Sequence, residues 1–412
     1  MININRYTLK NGLRIVHHYD PDTKIVVVNM LYKVGAKNDT PGKTGYAHLL
    51  EHLMFEGTTK VPDFDEVLQR VGGENNAYTS QDITNYYEIL PYQNAETAFW
   101  LESDRMVNLC LTEENLSVQR NVVAEEFKQR ILNRDYADAS AIYRKLAYKK
   151  HPYRIITIGE KLSHIYDAKL SDVKEYYQRY YAPNNAILSV VGNITFSECI
   201  RLAEKWFGDI EPQQIDTSPL PQEPAQRKAR MKRVCRNVPS SNIYKVYHMV
   251  SRHHKDYPCF DLISDILSTG KSSRLNLELV QNKKIFSMVD AAITGSVDSG
   301  LLIVVGRLAP DVNMEEADKA LSAEIAKLSS ERVTKRELEK VVNKFESNFL
   351  FENIGANELA ANIAYYEMLD SDINEEVDKY RKVTPQQIME VAKNYLKPSN
   401  STTLYYQAEE KV

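Results

Sequence analysis

The stretch Leu170-Ser-Asp-Val173…Tyr180-Tyr-Ala-Pro183-Asn184-Asn185, followed by the apolar run Ala186 to Val191, has a second copy near the C-terminus. There it reads Thr384-Pro-Gln-Gln-Ile388…Tyr395-Leu-Lys-Pro398-Ser-Asn400, followed by Ser401 to Tyr406. Val173 matches Ile388, Tyr180 matches Tyr395, Pro183 matches Pro398 and Asn185 matches Asn400, at a constant offset of 215 residues. Each copy reads as a helix, a Pro-Asn turn and a strand. Between them, Pro212 to Arg230 holds Pro219, Pro221 and Pro224 among Gln, Ser and Asp, with little apolar content. Proline removes backbone donors and the polar side chains bury nothing, so this segment reads as a linker. It splits the 412 residues nearly in half, and a repeat on either side of a mid-chain linker is the mark of duplication. The expected domains are 1–211 and 231–412, with the linker over 212–230.

Within each half the pattern is mixed. Tyr7 to His17 reads as strand, turn at Asn11-Gly12, and strand. Ile25 to Tyr32 is a β-rich apolar run, and Ala77 to Leu90 alternates and is rich in Thr, Tyr and Ile, so it reads as strand. Gly45 to Phe55, Glu96 to Leu109, Thr112 to Leu132 and Leu170 to Tyr180 read as helices. Strands interspersed with long helices, without regular βαβ units, predict an α+β fold. Each domain would be a mainly antiparallel sheet with helices packed on one face.

Composition excludes several classes. The hydrophobic share of 43% and charged share of 26% are ordinary for a globular chain. No apolar run approaches the ~18–20 residues that span a bilayer, so no membrane insertion is expected. A formal net charge of -4 offers no basic field for nucleic acid. Cys110, Cys199, Cys235 and Cys259 show no C-x-x-C spacing and read as free thiols in a reducing compartment. Met1 to Tyr19 has no signal-peptide pattern, so a cytoplasmic location is expected.

The strongest chemical signal is His48-Leu49-Leu50-Glu51-His52. On a helix, residues four apart leave the same face, so both imidazoles can reach one Zn²⁺. Glu51 lies beside that face, placed to take a proton from water whose pKa the metal lowers to roughly 7. A third ligand must come from elsewhere in the chain. H-x-x-E-H is the order of the inverted zincin motif.

The surrounding residues carry a wider likeness. Gly45-Tyr-Ala-His48-Leu-Leu-Glu51-His52-Leu-Met-Phe55-Glu-Gly57-Thr58, Gly72-Gly73-Glu-Asn-Asn76-Ala77-Tyr78-Thr79, Gln119-Arg120-Asn-Val-Val-Ala-Glu-Glu126, His151-Pro152-Tyr153 and Thr269-Gly270-Lys-Ser272-Ser273-Arg274-Leu275 closely resemble the pitrilysin/insulinase (M16) family of zinc metallopeptidases. Among its members the chain resembles the short, mitochondrial-processing-peptidase-like subgroup. The resemblance covers essentially the whole chain. It implies that Glu126, 74 residues after His52, is the third zinc ligand, while its neighbour Glu125 lies about 100° away around the helix. It implies that Glu51 is the general base for attack on the scissile peptide. Phe55 and the edge strand with Asn76, Ala77, Tyr78 and Thr79 would hold an extended peptide by strand addition. Gln119 stands where many members carry a Glu and is a candidate to support the ligands from behind.

Alignment of Gly57 with Gly270 sets Asp261, Ser264 and Asp265 opposite His48, Glu51 and His52. Two aspartates without imidazoles make a poor zinc site, so one Zn²⁺ per chain and a metal-less second domain are expected. Active members also use an Arg and a Tyr, seven residues apart, to stabilise the oxyanion. Val280 and Ser287 occupy those positions here and can do neither job. The resemblance therefore implies half of a clamshell. The expected partner is a metal-less family subunit that supplies the Arg/Tyr pair, with a homodimer as second choice. The expected function is a zinc metalloendopeptidase subunit. The alternative is a non-catalytic scaffold or peptide-binding subunit.

Overall fold

The computed structural model describes residues 1–216 and 218–409. Thr217 of the expected linker and the last three residues of the expected second domain lie outside them. The chain forms two compact units. The first comprises Met1–Lys128, Ile155–Leu220 and Phe349–Asn374, and the second Gln129–Arg154, Pro221–Asn348 and Glu375–Val412.

The first unit holds a six-stranded sheet of β1 (Asn5–Thr8), β2 (Arg14–Tyr19), β3 (Ile25–Tyr32), β4 (Glu74–Thr79), β5 (Thr84–Pro91) and β6 (Ala186–Gly192), in the order β1-β2-β6-β3-β5-β4. Only β2 and β6 run parallel. The second unit holds β7 (Arg230–Arg236), β8 (Asn242–His248), β9 (Phe286–Ile293), β10 (Leu301–Leu308) and β11 (Ser401–Ala408), in the order β7-β11-β8-β10-β9. Here only β7 and β11 run parallel. With β1 set aside, the two sheets share one topology, which is the duplication seen in three dimensions. The repeat is equally literal in detail. Asn185 donates from Nδ2 to the Tyr180 carbonyl at 2.9 Å, and Asn400 does the same to Tyr395 at 2.8 Å. In both copies the amide closes the orphan carbonyls of the preceding helix.

The helices of the two units include α1 (Tyr46–Leu53), α2 (Ala95–Asn108), α3 (Glu113–Phe127), α4 (Ala139–Ala147), α5 (Leu170–Tyr180), α6 (Tyr257–Ser268), α7 (Met314–Ser330), α8 (Lys335–Glu352), α9 (Ala356–Met368) and α10 (Pro385–Tyr395). On the first sheet, Tyr86 and Glu88 of β5 face α2, whose Arg105 guanidinium sits 4.5 Å over the Tyr86 ring. The alternate residues, among them Val27, Leu31, Ile187 and Val191, pack on the other face against Leu359, Ala360 and Ile363 of α9. In the second unit, α6, α7, α8 and α10 share a core with one face of the sheet. Ala139, Tyr143 and Ala147 of α4 cover the opposite face at Val246, Leu301 and Leu404.

The chain halves therefore exchange a segment. The segment with α4 comes from the first half and belongs to the second unit; the segment with α9 goes the other way. Domain limits drawn at 211 and 231 follow chain order and miss this. The physical reason is that central strands such as β6 are buried on both faces, so each sheet needs a second cover.

Two further readings change. The single strand read over Ala77 to Leu90 is the hairpin of β4 and β5. Ser80 makes the turn, its N–H donating to the Ile83 carbonyl and its hydroxyl oxygen accepting from the N–H groups of Asp82 and Ile83. The polar linker residues are also not idle. Glu223 accepts from the N–H groups of Lys149, Lys150 and His151, and buried Gln226 donates to the Ser401 carbonyl.

Candidate metal centre

Helix α1 begins at Gly45, whose φ of 90° is open to glycine at little cost. A Cβ there would also lie 2.8 Å from the Ile158 carbonyl oxygen. No side chain at Gly45 can cap the helix, so half-buried Asp39 does it from six residues upstream. Its carboxylate accepts from the N–H of Gly45 at 2.6 Å and of Ala47 at 3.0 Å. Burial pushes the Asp39 carboxyl up to about 7, against the opposing pull of these N–H bonds.

From α1, His48 and His52 project on one face with ring centroids 4.8 Å apart. Glu126, in the last turn of α3, faces both. Its two oxygens lie 3.6 Å from His48 Nε2 and 3.3 Å from His52 Nε2. Tetrahedral donors about 2.0–2.1 Å from one centre stand roughly 3.3–3.4 Å apart, so the spacing fits a single small cation. Two imidazoles and a carboxylate are also a donor set of catalytic zinc sites. Among the described residues, no other group of three or more His, Cys, Asp or Glu converges in this way. Glu125 points elsewhere, to Lys128 Nζ at 2.5 Å.

Glu51 lies outside that triad, and its Oε2 accepts a hydrogen bond from the Thr79 hydroxyl. Thr79 ends β4, the edge strand of its sheet. Side chains alternate along a strand, so Ala77 and Thr79 face α1 while Asn76 and Tyr78 face away. The Asn76 side chain accepts from the Ala77 N–H at 2.8 Å. Phe55 sits over the floor of the site, its ring 6.3 Å from that of Tyr86. Gln119 does not meet the triad. It lies roughly two helical turns before Glu126 and donates to Glu56.

Beneath the site is a group that sequence reading did not find. Arg105 is ion-paired with Glu88 and Glu102, all three buried, and stacks between Tyr86 and Phe64. One cation cannot neutralise two carboxylates. Burial, then the nearby Glu102 charge, raises Glu88 well above the ordinary carboxylate range.

The family model described as Insulinase (Peptidase family M16) matches residues 14–153, and that described as Peptidase M16 inactive domain matches residues 167–345. Zinc protease PqqE of Helicobacter pylori is 32% identical over 407 residues, 97% of this chain and 91% of that one. The chain belongs to peptidase family M16. A crystal structure of a protease from Helicobacter pylori superposes on this M16 protein with a TM-score of 0.92 at 30% identity, over 99% of this chain and 100% of the other. The fold also matches the periplasmic protease PqqL from Escherichia coli, with a TM-score of 0.81 at 19% identity. That match covers 98% of the M16 chain and 48% of PqqL.

The second unit carries different contacts at the positions that align with His48 and His52. Asp265, opposite His52, is ion-paired with Lys344 Nζ at 2.8 Å and accepts from the Thr269 hydroxyl at 2.6 Å. Asp261, opposite His48, accepts from the Tyr380 hydroxyl at 2.7 Å. A lysine ammonium stands beside the aspartates of α6 where the first unit converges ligands. Val280 packs against the core of the second unit, and the Ser287 hydroxyl donates to the Arg307 carbonyl at 3.3 Å.

Proposed function

We propose that this chain is the zinc-bearing subunit of an M16 metalloendopeptidase acting on extended peptides. The observation that carries the proposal is the convergence of Glu126 on both imidazoles of His48-x-x-Glu51-His52 at 3.3 and 3.6 Å. His48, His52 and Glu126 would hold one zinc ion per chain. Bound there, zinc would polarise a peptide carbonyl and make water nucleophilic near neutral pH. Glu51 would take the proton from the attacking water and pass it to the leaving amine. The free edge of β4 would take up the substrate backbone as an added strand, with Asn76, Ala77, Tyr78, Thr79 and Phe55 around it.

Glu51→Gln tests the assignment. The variant should retain one zinc per chain, by metal analysis, and lose peptide turnover; wild-type turnover would refute it.

The oxyanion donors are the missing part, because Val280 and Ser287 supply none. Loss of such a donor costs about 2.7–4 kcal/mol of transition-state stabilisation. In this reading a metal-less family subunit contributes an Arg and a Tyr, and a homodimer with other donors is the second choice. Peptidase activity should be low for the purified chain and rise when the metal-less relative is added. The same two residues favour one other reading, a scaffold or peptide-binding subunit that does not cut. Mass spectrometry of peptides after incubation separates the two. The four free cysteines support a cytoplasmic setting.

A further inference from the structure

Thr79 belongs to two parts of the site at once. Its backbone lies on β4, which pairs with β5 on one side and ends the sheet on the other. Its side chain turns towards α1 and donates a hydrogen bond to Oε2 of Glu51. We infer that Thr79 is a positioning residue, whose hydroxyl orients the Glu51 carboxylate for proton abstraction. This rests on the reading of Glu51 as general base.

A glutamate has three side-chain torsions, and a base works only within hydrogen-bond reach of the proton it abstracts. Held from one oxygen by a hydroxyl, the carboxylate loses rotation about its last bond. Hydrogen bonds to an ionised acceptor are about twice as strong as neutral ones, so this contact biases the carboxylate towards one rotamer. The hydroxyl is anchored in turn. Thr79 pairs with Thr84 in the β4–β5 ladder, and the Thr84 hydroxyl donates to the Val34 carbonyl at 2.9 Å. The strand whose outer edge is open to a peptide thus also grips the base, and docking and base orientation share one element.

Thr79→Val removes the hydroxyl and keeps the branched shape; Thr79→Ser keeps the hydroxyl. With the full zinc-loaded chain, and its partner subunit where activity needs it, Thr79→Val should bind zinc as the wild type does. Its kcat should fall about 10- to 100-fold, the worth of a hydrogen bond to a charged group. Thr79→Ser should restore most of the loss. Wild-type kcat in Thr79→Val, or equal loss in both variants, would overturn the inference. Glu51→Gln run alongside separates the two levels: if it is active, the general-base reading fails; if it is inactive while Thr79→Val is not, only the role of Thr79 fails. Crystal structures of the zinc-loaded wild type and Thr79→Val give a readout that needs no turnover. The Glu51 carboxylate should move or spread over rotamers in the variant, and an unmoved carboxylate would contradict the proposal.

Discussion

His48, Glu51 and His52 were legible because their geometry is local: spacing alone sets two imidazoles on one helical face. Glu126 was reached only through family resemblance, since nothing in its own neighbourhood distinguishes it from Glu125. Asp39, Lys344 and the Thr79–Glu51 contact were not legible, because each joins residues that only the tertiary fold brings together. Asp39 leads to a pH prediction. Its folded carboxyl titrates at about 7, above an ordinary aspartate, so the folded chain binds that proton more tightly than the unfolded chain. Its contribution to stability is then full below the ordinary aspartate range and is lost as pH rises through about 7. Asp39→Asn should flatten this part of the stability profile of the metal-free protein. Thermal unfolding between about pH 4 and 8 checks it, and an unchanged slope would contradict the assignment.

At the scale of elements, most helices and strands followed from periodicity, and β3 and α5 fall where the pattern puts them. The hairpin inside Ala77 to Leu90 did not. Ser80-Gln81-Asp82 makes a turn from side-chain acceptors with no glycine or proline to mark it. Two aligned glycines give a sharper test. Gly57, after α1, and Gly270, after α6, have φ of 81° and 79°. A Cβ on Gly57 would lie 2.3 Å from the Pro62 carbonyl oxygen, whereas one on Gly270 would meet nothing within 4 Å. Both alanine variants bear the left-handed cost of about 1–2 kcal/mol. Only Gly57→Ala adds a backbone clash, so it should be clearly the less stable of the two in urea unfolding. Equal losses would show that the turn after α1 relaxes freely.

At the scale of the whole molecule, the duplication was legible in the repeat 215 residues apart, but the exchange of segments was not. An amphipathic pattern says which side of a helix is apolar, not which sheet it covers. The exchange predicts how the chain responds to cutting. Residues 1–211 expressed alone hold every strand of the first sheet and lack α9, which leaves Val16, Val27, Leu31, Ile187 and Val191 uncovered. That fragment should aggregate, while co-expression with 231–412 should give a soluble pair by size-exclusion chromatography; a soluble, cooperatively folding 1–211 would contradict the exchange. The central claim is that one site in this chain is built for zinc and its duplicate is not. Anomalous diffraction at the zinc edge, on crystals grown with the metal, tests it most directly. One peak per chain is predicted, about 2.0–2.2 Å from His48, His52 and Glu126. No peak there, or an equal one between Asp261 and Asp265, would contradict the account.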